Sequence, residues 1–90
     1  MDETQRQMLI NFVVNHARGM ISKHLANVEI YLANPVGIGE HSDIMEAIEM
    51  ELDNVAKYSD RIEALRGYVR NAAEILDENL NRNNKNICNN

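Results

Sequence analysis

Hydrophobic residues recur at spacings of three and four along two long stretches of the chain. The first stretch follows Thr4, whose side chain is suited to cap a helix N-terminus, and ends before Pro35, which disfavours helical geometry in the residue preceding it. Its members are Ile10, Val14, Ala17, Ile21, Leu25, Val28 and Leu32. This pattern predicts a helix over residues 5–33, in which Gly19 is the one weak position.

The second stretch follows Ser42, another side chain suited to cap a helix, and Asp43, which favours the positive end of a helix dipole. Its members are Ile44, Ile48, Val55, Ile62, Leu65, Val69, Ala72, Leu76 and Leu80. No proline interrupts this run, and only Gly67 weakens it. The pattern therefore predicts one long helix over residues 43–82.

The segment between the two stretches, residues 34–42, reads NPVGIGEHS. A proline and two glycines are typical of a turn between helices, and the fold class is therefore predicted to be all-α, an antiparallel helical hairpin. No strand precedes these glycines and no P-loop lysine follows them, which excludes the common phosphate-binding motifs. Residues 83–90 are mostly asparagine and offer little to bury, so we expect a disordered polar tail.

The second predicted helix is longer than the first, about 60 Å against about 44 Å at the usual helical rise. The first helix therefore ends opposite residues near 70, while the apolar stripe of the second continues. The uncovered row consists of Val69, Ala72, Ala73, Leu76 and Leu80. Monomers seldom leave such a row exposed, so we expect two hairpins to dimerise into a four-helix bundle, or another protein to cover the row. Alternatively, residues 60–82 break near Ser59 and fold back as a third helix.

Two polar residues interrupt the apolar stripes. His24 lies ten residues before Asn34 and Glu51 nine residues after Ser42, so an antiparallel hairpin brings them to the same level. We predict a buried polar pair that fixes the register of the helices. A metal site that includes His41, or an acid–base couple, is the alternative. One histidine and one carboxylate leave a metal shell incomplete, and we predict no catalytic residue, metal ligand or cofactor.

The net charge of the chain is −5, and the acidic residues are concentrated between residues 40 and 60. Seven acids lie there against Lys57 alone: Glu40, Asp43, Glu46, Glu49, Glu51, Asp53 and Asp60. Such a chain is a poor ligand for phosphate backbones, so we expect no direct nucleic-acid binding. The single cysteine, Cys88, suits a reducing compartment, and neither a signal peptide nor an apolar run long enough to span a bilayer is found. We expect no association with a membrane.

The stretch VEIYLANPVGIGEHSDIMEAIEMELDNVAKYSDRIEAL, residues 28–65, resembles small uncharacterised proteins of tailed bacteriophages, especially those of marine cyanobacteria. The likeness rests on NPVGIGEH followed by Asp43 and Ile44, on the acidic helix, and on Tyr58 with Asp60. It covers under half of the chain. The resemblance implies a phage accessory or virion-associated protein in the cytoplasm of the bacterial host or in the virion, and it implies no particular activity.

These observations predict a non-enzymatic helical interaction or assembly protein that forms a homo-oligomer and docks on a larger phage or host protein. Within the loop, Ile38, Glu40 and His41 are the predicted docking residues. An alternative is an acidic regulator that occupies the basic groove of a nucleic-acid-handling enzyme. A second alternative is a small metal-binding helical bundle that uses His24, Glu51 and His41.

Overall fold

The computed structural model describes the backbone of residues 1–33 and 41–88, and the side-chain environments of residues 1–33 and 43–80. Two helices make up the described chain, α1 (Glu3–Ala33) and α2 (His41–Cys88). They pack side by side and antiparallel, since Ile10 and Val14 of α1 lie near Leu65 and Val69 of α2 while His24 contacts Glu51. The predicted all-α antiparallel hairpin is therefore confirmed. The longest dimension of the molecule is 79 Å.

A reciprocal pair of hydrogen bonds caps the start of α1. The backbone N–H of Gln5 donates to Asp2 Oδ1 at 2.7 Å, and the backbone N–H of Asp2 donates to Gln5 Oε1 at 3.2 Å. This is a capping box, in which each side chain satisfies a backbone donor that the first helical turn leaves free. The predicted cap at Thr4 is wrong, because Thr4 already lies inside the helix and Asp2 has taken the capping position.

The second helix is longer at both ends than its predicted span of residues 43–82. It begins at His41, so Ser42 lies in its first turn rather than capping it. It passes Ser59 without a break, which excludes a separate third helix over residues 60–82. It also continues to Cys88, where a disordered tail was expected over residues 83–90, and residues 89–90 lie outside the described chain. Asparagine is a weak helix former but not a helix breaker, and no glycine or proline follows Gly67.

The buried core of the described chain is small and lies at mid-length between the helices. Ala17 is fully buried, Tyr58 and Ile62 are nearly so, and Met20 and Ile21 pack against them. The small side chain of Ala17 allows the two helices to approach each other closely. Because the core is this thin, we expect the stability of the hairpin to depend strongly on the few contacts that cross between its helices.

The C-terminal part of α2 extends beyond α1. Because His24 lies opposite Glu51 and both helices rise equally per residue, the first residue of α1, Glu3, is level with residue 72. Residues 73–88, about 24 Å of helix, therefore have no α1 beside them. We call this segment the overhang. Its described part exposes more than half of the side chains of Ile75, Leu76 and Leu80.

Candidate functional site

A polar contact between the helices joins the two residues that interrupt the apolar stripes. The Nδ1–H of His24 donates to Glu51 Oε2 at 2.5 Å, and the Nδ2–H of Asn27 donates to Glu51 Oε1 at 3.2 Å. His24 and Asn27 lie three residues apart and therefore share one face of α1. The side chains of His24 and Glu51 are only 11% and 18% exposed. The predicted contact is present, and Asn27 is a partner that the sequence did not indicate.

The environment of Glu51 favours the ionised carboxylate. The hydrogen bond from His24 lowers the pKa of Glu51 below its usual value of 4.5. Partial burial raises that pKa, while the hydrogen bond from Asn27 and the positive charge of Lys23 lower it further. The net direction is downward because donors directed at the oxygens stabilise the charged form. Glu51 is therefore an acceptor at neutral pH and is not suited to act as a general acid.

Tyr58 connects this polar contact to the core. Its ring stacks on the ring of His24, with centroids 6.2 Å apart and planes at 17°, and meets His16 edge-on at 6.2 Å. Lys57 Nζ and the Arg61 guanidinium lie 5.1 Å and 4.8 Å from the centroid of the same ring, within range of a cation–π attraction. The tyrosine thus packs His24 in place. We name His24, Asn27, Glu51 and Tyr58 the polar clamp.

The sequence analysis did not assign a structural role to Tyr58. A signal was present, because Tyr58 follows Val55 by three residues and precedes Ile62 by four, which places it on the buried stripe of α2. His16, by contrast, lies at the edge of the contact and is exposed.

The polar clamp is internally satisfied. Among the described residues, no buried side-chain nitrogen or oxygen lacks a hydrogen-bond partner. Within the same residues, no group of three or more histidine, cysteine, aspartate or glutamate side chains is placed to hold a metal ion. The side chain of His41, which the metal hypothesis adds to His24 and Glu51, lies outside the described set. In the described chain the clamp is a hydrogen-bonded and stacked contact between α1 and α2.

A groove of about 370 Å³ lies between the helices near the N-terminus of α1. Its floor is apolar and half-buried, formed by Ile10, Val14, Leu65 and Val69. Three exposed arginines line it: Arg18, Arg66 and Arg70. Helical side chains lean towards the N-terminus of their own helix, so in antiparallel helices Arg18 leans towards the two arginines of α2. We call this feature the arginine groove.

None of the three guanidinium groups of the arginine groove has a carboxylate within 4.0 Å among the described residues. In a chain with an excess of acids, a cluster of unpaired arginines is a feature that net charge alone does not reveal. The groove was not predicted, because Arg66 and Arg70 flank the apolar stripe of α2 and only the packing of α1 places Arg18 along the same groove.

The predicted interface row continues directly from this groove. Val69 belongs to both features, and like Ala72 it is half-buried where α1 ends. Beyond α1, Ala73 is exposed, and Leu76 and Leu80 are 64% and 61% exposed. Within the single chain, the predicted apolar row is therefore uncovered along the overhang.

Six of the seven acids between residues 40 and 60 lie among the described side chains of α2. The side chains of Asp43, Glu46, Glu49, Asp53 and Asp60 are exposed, and among the described acids of this segment only Glu51 is partly buried and directed at α1. Of the predicted docking loop, Ile38 and Glu40 lie outside the described residues, as does the side chain of His41. Neither described helix contains a stretch long and apolar enough to cross a membrane.

Together these features define an elongated helical hairpin with one polar clamp, one arginine groove and one uncovered apolar row. No protein-family model, no curated protein and no solved structure matches the chain. A functional interpretation therefore depends on the surfaces of the hairpin itself.

Proposed function

We propose that this protein is a small non-enzymatic helical interaction protein that self-associates and docks on a larger protein. The observation that carries the proposal is the apolar row of the overhang, where Leu76 and Leu80 are mostly exposed and α1 has already ended. Soluble proteins seldom expose a continuous apolar row unless another surface covers it. A second hairpin is the simplest cover, since two such hairpins form a four-helix arrangement.

The thin core supports the same proposal. A chain of ninety residues with few fully buried side chains gains little stability by itself, and oligomerisation is a common way to increase buried apolar area. Burial of the row on a second copy would remove the side chains of Leu76 and Leu80 from water, which contributes about 25 cal/mol per Å² of apolar surface. Self-association would therefore stabilise both the dimer and the hairpin fold.

The setting follows from the resemblance of residues 28–65 to small proteins of tailed bacteriophages. It favours an accessory or virion-associated protein, located in the cytoplasm of the bacterial host or in the virion. The loop residues Ile38, Glu40 and His41 are the candidate contact with the larger phage or host protein. Their alanine variants should lose that partner and retain the dimer.

The test of self-association compares two aspartate substitutions at equally exposed positions. Leu76 lies on the row and Ile30 lies off it, and each is 64% exposed in the single chain. Leu76→Asp should reduce the mass measured by multi-angle light scattering to that of one chain, because a charge would be buried in the interface. Ile30→Asp should leave the dimer intact. Dimers of equal strength in both variants would refute a role for the row.

A second candidate function is an acidic regulator of a nucleic-acid-handling enzyme. The observation that favours it is the exposed acidic face of α2, from Asp43 to Asp60, which could enter a basic groove. The test is capture of a polymerase or nuclease from host lysate, with binding that weakens as salt rises. Loss of capture in a Glu46→Lys/Glu49→Lys variant would support this function, and salt-insensitive capture would exclude it.

A further inference from the structure

We infer that the overhang of a second copy packs into the arginine groove of the first. The two α2 helices run antiparallel, in a register that pairs Arg66 and Arg70 of the first copy with Asp77 of the second. The inference rests on the proposed self-association and adds the identity of the occupant, the register and the ion pairs. Three features of one chain support it: the groove, the apolar row that continues from it, and the acids of the overhang.

The apolar residues of α2 are complementary to themselves in one antiparallel register. In this register Ala72 lies opposite Ala73 of the second copy. Both helices rise by the same amount per residue, so three residues back from Ala72 and three residues forward from Ala73 reach the same level, and Val69 lies opposite Leu76. The next step places Leu65 opposite Leu80. A two-fold axis between the alanines repeats each contact, as an isologous interface requires. The alanines at the axis allow the two backbones to approach closely.

In this register the overhang of the second copy lies along the arginine groove. Leu65 and Val69 form part of its floor together with Ile10 and Val14 of α1. Residues 76 and 80 of the second copy reach the level of that floor. The overhang therefore packs against α1 and α2 together, and the two copies assemble four helices around the axis.

The same register pairs opposite charges. Asp77 of the second copy falls between Arg66 and Arg70, and Glu74 of that copy lies about one turn further along. All four side chains are exposed, and none has an ion-pair partner within 4.0 Å among the described side chains of the same chain. Arg70 and Asp77 of one chain are seven residues apart, about 10 Å along the helix, so they do not pair within a chain. Arginine–carboxylate pairs of this kind select a register and a partner.

A charge-swap experiment on the full-length chain tests the register. One variant carries Arg66→Glu/Arg70→Glu, and the other carries Glu74→Arg/Asp77→Arg. Each variant alone places like charges in both half-sites, so its dimer should weaken by at least about tenfold. An equimolar mixture restores opposite charges in both half-sites and should form a heterodimer with near wild-type affinity, measured by sedimentation equilibrium and native mass spectrometry.

The control variant is Glu46→Arg/Glu49→Arg, which reverses two exposed acids at the same three-residue spacing on the acidic face. It should retain the wild-type dimer. Formation of the heterodimer also shows that both swapped chains fold. The register is overturned if each charge-swap variant dimerises alone as tightly as wild type. It is also overturned if the mixture of the two variants stays monomeric under conditions where wild type forms a dimer and Leu76→Asp is monomeric. A wild-type chain that is monomeric throughout refutes the proposed self-association itself.

Discussion

Removal of the His24 imidazole is the most informative single change in the polar clamp. The side chain is almost fully buried, donates to a carboxylate at 2.5 Å and stacks on the Tyr58 ring. His24→Ala removes all three contributions together. The loss should therefore exceed that of an ordinary surface substitution, which is usually within about 0.5 kcal/mol.

The expected magnitude follows from two parts. A hydrogen bond to a charged acceptor contributes roughly 1.5–3 kcal/mol, and the lower end applies because the acceptor keeps some access to water. The stacked ring adds about 0.5–1.5 kcal/mol. We therefore expect His24→Ala to destabilise the protein by about 2–3 kcal/mol, measured by urea denaturation at a fixed protein concentration, since a dimer makes stability depend on concentration.

The matched control is His16→Ala, which removes the same imidazole from an exposed position that also touches Tyr58 but has no carboxylate within 4.0 Å among the described residues. Its cost should be at most about 0.5–1 kcal/mol. Combining His24→Ala with Glu51→Ala should cost less than the sum of the two single losses, because each single change already breaks the contact. Additive losses, or equal costs for the two histidine variants, would refute a coupled clamp.

Three further predictions concern acid stability, helix propensity and packing. Because the pKa of Glu51 is lowered, its contribution to stability is present above the usual value of 4.5 and is lost as pH falls below that value. The melting temperature of wild type should therefore fall more between about pH 5 and pH 3 than that of Glu51→Gln, and parallel curves of melting temperature against pH would contradict this. Gly19→Ala should stabilise the protein by about 0.5–1 kcal/mol in urea denaturation, because an added Cβ would meet nothing within 4 Å, and a loss of stability would show an unrecognised contact. Ala17→Leu should destabilise by about 1–3 kcal/mol in the same assay, since Ala17 has no exposed surface, and a neutral result would mean that the helices separate freely there.

The hairpin and the His24–Glu51 contact were predictable because both follow from counting residues along the chain, whereas Asn27 and Tyr58 were not identified. Apolar spacing gives the helices, and equal rise per residue on either side of the turn brings His24 opposite Glu51. The helix ends were less predictable, because they depend on local hydrogen bonds. Asp2 and Gln5 cap α1 in place of Thr4. At the other end, α2 continues to Cys88 because asparagine is a weak helix former that does not break a helix.

The arginine groove was beyond the reach of the sequence pattern. The spacing of apolar residues identifies which face of a helix is buried, but it does not say which polar residues at the margins of two such faces come together. Arg18 joins Arg66 and Arg70 only because the helices pack with a particular rotation about their axes. The unpaired charges of the groove likewise become visible only when distances between side chains are known.

The central claim is that the overhang of α2 is covered by a second copy of the chain. The most direct test is the molar mass of the wild-type protein in solution, measured by light scattering across a wide range of concentrations. The account predicts a mass that approaches twice the 10.3 kDa of one chain as concentration rises. A mass of one chain at every concentration, up to the millimolar range, would contradict it.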